Sequence, residues 1–115
     1  MPIAAKYVLM VSMDVAPEKE ALFNEVYDQE HVPNLLAVPG VLSATRLRSE
    51  PFAISVGGER KDVPAASPRY TAMYELESPD VPEGEAWARA VEAGRWPSEV
   101  RPFTSNRRHV LSKVI

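Results

Sequence analysis

The chain has 115 residues, 45% of them hydrophobic and 25% charged, the balance of an ordinary folded domain, and its length fits one domain spanning 1–115. Its formal charge of −3 argues against nucleic acid as a partner, and the lack of cysteine excludes disulfides, thiolate metal sites and a cysteine nucleophile. No apolar run nears the roughly 20 residues that a spanning helix needs, and the first residues do not form a secretory signal, so the expected location is the cytoplasm, without a membrane partner.

Lys6 to Asp14 (KYVLMVSMD) reads as a strand. Tyr7, Leu9, Val11 and Met13 share one face, and Val8 and Met10 share the other, so both faces are apolar and both call for cover. Ala16-Pro17-Glu18 then opens a helix, with Pro17 near its first position and acids in its first turn. Within that helix Phe23, Tyr27, His31 and Leu35 recur every fourth residue and form an inward stripe. Pro33 interrupts it: it cannot donate to the carbonyl of Gln29, and it disfavours helical angles at Val32. The expectation is a kink near His31, a resumed turn over Asn34 to Ala37, and a stop at Pro39-Gly40.

Val41 to Glu50 is a second strand, with Val41, Ser43, Thr45 and Leu47 on one side and Leu42, Ala44, Arg46 and Arg48 on the other. Pro51 to Pro68 reads as a long connection with an exposed tip at GGERKD and a short extension, FAISV, at its start. Arg69 to Glu77 is a third strand with Tyr70, Ala72, Tyr74 and Leu76 on one face. A second helix opens at Glu83 or Gly84 with Trp87, Ala88 and Val91 inward, and RWPSEVRP adds one more turn. Arg107 to Ile115 is the last strand.

The order β-α-β-β-α-β predicts an α+β, ferredoxin-like fold: a four-stranded antiparallel sheet with two helices on one face. The other face is left bare and apolar, which predicts a homodimer that packs two such faces together.

The segment FNEVYDQEHVPNLLAVPGVLSATRLR resembles the first helix and second strand of dimeric α/β-barrel proteins, and is most similar to their small EthD-like members. Those members carry an aromatic-acid-x-x-His-x-Pro element, then Leu-x-x-(Val/Leu)-Pro-Gly, then a strand with Arg; the tail PFTSNRRHVLSKVI resembles their last strand. The resemblance implies a pocket between sheet and helices. It also implies a small dimeric enzyme without a bound cofactor, such as an oxygenase, cyclase or isomerase of aromatic or polyketide-like molecules. His31 would then be the acid or base, Tyr27 and Arg46 its helpers, and Phe23, Tyr74 and Trp87 ligand contacts. The alternative is a non-catalytic ligand-binding or accessory dimer, in which His31 satisfies a freed carbonyl or pairs with Asp28. Arginines such as Arg46 more often pair with an acid across the sheet or line a dimer contact, and the aromatics suit core packing. Asp28 and His31, three apart, are a weak metal pair, and no phosphate loop or Ser-His-Asp spacing occurs.

Overall fold

A computed structural model of the chain describes residues 3–115. Its strands are β1 (Tyr7–Val15), β2 (Val41–Arg48), β3 (Phe52–Val56), β4 (Glu59–Val63), β5 (Tyr70–Leu76) and β6 (Thr104–Lys113); its α-helices are α1 (Glu20–Val26), α2 (Val32–Leu36) and α3 (Glu85–Ala90). The main sheet has the order β2-β5-β1-β6 with every pair antiparallel, the ferredoxin-like arrangement expected. Leu9, Met13, Tyr70, Ala72, Tyr74 and Leu76 come from a single face of it and join Phe23, Val26, Leu35 and Trp96 of the helical layer in one core. The opposite face carries Val8, Met10, Met73 and Val110, with a Ser12–Thr71 hydroxyl pair at 2.8 Å.

Four sequence expectations need correction. The helix does not break at Pro33. It widens into a π-helical stretch, Tyr27–His31, whose closing bond runs from the Val32 N–H to the Tyr27 carbonyl, and it resumes at once as α2. Val32 keeps helical angles (φ −62°, ψ −48°) although proline follows it, because the wider turn relieves the crowding a proline ring imposes four residues back. The same device recurs at Trp96–Val100, where the Arg101 N–H bonds the Trp96 carbonyl and Pro102 comes next.

Pro51 to Pro68 is not an irregular connection. β3 and β4 pair across a two-residue Gly57-Gly58 turn, both glycines at positive φ (61° and 82°), and form a separate ribbon. A bulge between Val41 and Ser43 moves Val41 to the helix side with Ala44 and Arg46, and leaves Leu42 exposed. The second helix begins at Glu85, so Ala90 is buried and Ala88 is exposed. Pro39-Gly40 does end the first helical region. Gly40 has φ 93°, and a Cβ there would stand 2.6 Å from the Val81 side chain.

Candidate functional site

The inward stripe is realised in full: Phe23, Tyr27, His31 and Leu35 are all buried. In an ordinary α-helix four residues overshoot one turn by about 40°, so three such steps drift about 120°, too far for one apolar face. The wider turn at Tyr27–His31 holds more residues per turn and cancels that drift, which is how His31 stays in line with Tyr27.

His31 stacks on Trp96 with ring centroids 4.2 Å apart and planes 20° from parallel, and Tyr27 meets both rings edge-on at 5.0 Å. Both stacked rings therefore stand on π-helical stretches. Arg95 fixes the second stretch against the first: its backbone N–H donates to Glu30 Oε1 at 2.9 Å, and its guanidinium bonds Glu30 and Glu25. Gly94 makes the approach possible, since a Cβ on it would collide with the Glu30 carboxylate.

Between the helical layer and the β1–β6 side of the sheet lies a cavity of about 510 Å³, a size usual for small-molecule sites. Tyr27, His31, Trp96, Tyr74 and Trp87 give it aromatic walls, Tyr74 and Trp87 meeting edge-on at 5.6 Å. The sheet floor is Leu9, Val11 and Met13, and β6 contributes Arg107 and His109. Both histidines of the chain thus face one space, although they lie 78 positions apart (109 − 31).

Burial, reinforced by the Arg101 charge and partly offset by Glu92, holds the His31 imidazole down to about 4, so the ring is neutral at pH 7. Its Nδ1 is buried without a hydrogen-bond partner among the described residues, as is the Tyr74 hydroxyl. Orphan polar atoms of this kind each cost about 1–3 kcal/mol and are uncommon in cores. Burial raises the Tyr74 phenol above its ordinary value, and the Tyr27 hydroxyl, a near neighbour without hydrogen-bond geometry, adds to this. Burial likewise raises Tyr27, against the pull of Tyr74 and Arg46. Both phenols are therefore neutral donors.

The structure brings His31, Tyr27, Tyr74 and Trp87 together around the cavity and leaves Arg46 and Phe23 out of its wall. Phe23 is fully buried behind Tyr27 (centroids 5.3 Å). Arg46 donates to Asp28 at 2.9 Å and to Asn24 at 2.8 Å, and its guanidinium lies 4.5 Å from the Tyr27 ring centre. Asp28 is thus engaged by Arg46. No group of three or more His, Asp or Glu among the described residues is gathered as metal ligands, and no helix among them is long and apolar enough to cross a membrane.

Sequence reading missed His109, Arg107 and Arg101 as wall residues. The first two follow from the β1–β6 register, which opposes His109 to Val11; nothing in the local pattern of RRHVLSKVI discloses it.

No protein-family model and no curated protein matches the chain. Solved structures do. A mutant of MhuD with two manganese protoporphyrin IX molecules bound per active site aligns over 95% of this chain and 94% of its own, with a TM-score of 0.61 at 18% identity. The haem degrader MhuD from Mycobacterium tuberculosis, with two haems bound in its active site, aligns over 95% of each chain (TM-score 0.60, 17% identity). An ethyl tert-butyl ether d (EthD) family protein from Bacillus halodurans aligns over 95% of this chain and 99% of its own (TM-score 0.57, 13% identity). At these identities the likeness establishes the ferredoxin-like fold, in agreement with the EthD-like resemblance of the sequence, and does not assign chemistry.

Proposed function

We propose that the chain binds a flat aromatic small molecule in the cavity and acts on it as an enzyme without a bound redox cofactor, an oxygenase, cyclase or isomerase. His31 gives or takes the proton, and the neutral Tyr27 and Tyr74 hydroxyls donate to the oxyanion that develops. Arg46 acts through Tyr27, whose ring it braces. The observation that carries this reading is the cavity of about 510 Å³ walled by His31 and four aromatic rings. Neutral His31 can accept a proton at pH 7, and an anion formed beside it would favour its charged form. MhuD structures hold porphyrins, which are also flat, so a porphyrin belongs among the ligands tried.

The second reading is a non-catalytic binding protein. The His31–Trp96 stack favours it, because a buried stacked ring serves packing as well as chemistry. In both readings a second copy covers the open face of the sheet, where Met10, Met73 and Val110 are only half-buried; sedimentation at micromolar concentration should give the mass of two chains, and a monomer would remove this part.

Titration of tryptophan emission and of the His31 ring resonances with hydroxyaromatics, quinols and metal-free protoporphyrin IX tests the reading. Saturable quenching and a shifted His31 signal are expected, and His31→Gln should keep the binding while turnover of the responding ligand falls about 10²–10⁴-fold. Binding without turnover in the unmutated chain selects the non-catalytic protein, and turnover undiminished in the variant removes His31 as the proton-transfer group. No response from any ligand rejects the cavity as a site.

A further inference from the structure

We propose that the cavity selects an aromatic acid carrying a single negative charge, whose carboxylate is held by Arg107 with His109 beside it on β6. The inference rests on the cavity reading above and adds the class of ligand.

It starts from where the positive charge is already engaged. Every arginine before Arg107 forms an ion pair with a carboxylate, whereas Arg107 and Arg108 have none among the described residues. Of this adjacent pair only Arg107 reaches the cavity. Arg101 also lines it, but both of its terminal nitrogens bond Glu92, at 2.9 and 2.6 Å, and one also donates to the Val91 carbonyl at 2.7 Å. No Asp or Glu among the described residues lines the cavity. The space therefore has apolar and aromatic walls, one uncompensated guanidinium and two imidazoles. A guanidinium binds a carboxylate through paired N–H donors, and one such charge balances one anion.

A bulge places this charge. The β1–β6 register shifts between Ser12 and Asp14, and Asn106 sits there at φ 55°. Its side-chain amide donates to Asp14 at 2.8 Å and fixes the irregularity. Beyond the bulge Arg108 opposes Ser12 and His109 opposes Val11, so Arg107 and His109 share the helix side. Without the extra residue Arg107 would oppose Ser12 and turn to the open face. The chain thus holds a left-handed asparagine at the one position that delivers Arg107 to the cavity.

The test uses the full chain and a matched pair of probes, 2-naphthoate and its uncharged amide, read by tryptophan quenching at low salt. The acid should bind about 10–100-fold more tightly, the effect of hydrogen bonds to a charged group. Arg107→Gln should bring the acid to the level of the amide, while Lys61→Gln, which removes an exposed cation from the separate ribbon, should leave the preference intact. Equal binding of acid and amide, or a preference that survives Arg107→Gln, overturns the inference while the cavity reading stands. Tighter binding of naphthyl phosphate than of naphthoate overturns the single-charge clause. If neither acid nor amide binds, the cavity reading falls and takes this inference with it.

Discussion

The cavity has two histidines on two unlike walls. The helical wall is dry: His31 is wedged on Trp96, keeps a buried Nδ1 without a partner among the described residues and carries a depressed proton affinity. The strand wall is wet: Arg107 and His109 stand exposed on the edge strand β6. The difference teaches that burial and exposed charge are divided between the two walls. Polar groups on the helical wall are stripped of water at a cost in stability, and charge on the strand wall is kept hydrated.

Mutation should separate the walls most sharply at Trp96. Replacing this buried ring by alanine removes the platform for His31, Tyr27 and Phe23 and should lower unfolding free energy by about 3–5 kcal/mol, read from denaturant midpoints. A loss below 1 kcal/mol would mean that the helical wall is not the packed body described.

Acid comes next. His31 titrates near 6.5 when unfolded and at about 4 when folded, so the unfolded chain binds the proton more readily. Its contribution to stability is whole above pH 6.5 and is lost as pH falls towards 4, about 3 kcal/mol in all. The carboxyls of Asp14, Glu30, Glu75 and Glu92, all held below their ordinary values by hydrogen bonds, also weaken the fold as they protonate, but in the variant as well. The pH 6.5 to 5 portion should therefore vanish in His31→Gln; a variant with the same slope there would place the proton elsewhere.

The smallest effect belongs to the strand wall. Arg107→Gln should move unfolding free energy by no more than about 0.5 kcal/mol, as expected of an exposed, unpaired side chain. A large loss would make Arg107 a structural residue and blur the contrast between the walls.

What could be read from the sequence follows the same division. The four-residue recurrence of Phe23, Tyr27, His31 and Leu35 and the alternation of β5 are local signals of burial, and both faces emerged as drawn. Arg46 lies on the face expected of it, but Asp28 and Asn24, eighteen and twenty-two residues away, draw it outside the cavity wall. The ribbon was signalled by two glycines between FAISV and ERKDV, a turn that the length of the connection obscured. The strand wall had no local signal at all. β6 has one face of Arg, His, Leu and Lys with no apolar alternation, and its role depends on which strand it pairs with and where the bulge falls.

The widened turn at Tyr27–His31 has a consequence for how the gene can change. It stores one surplus residue, with regular helix on each side. Loss of a single codon among Asp28, Gln29 and Glu30 would let the coil close to ordinary pitch, and a histidine three places after Tyr27 would still point inward. The same loss inside α1 would turn every later side chain of the helix by about 100°. Length is therefore negotiable at one spot on this helix, and that spot is beside the imidazole.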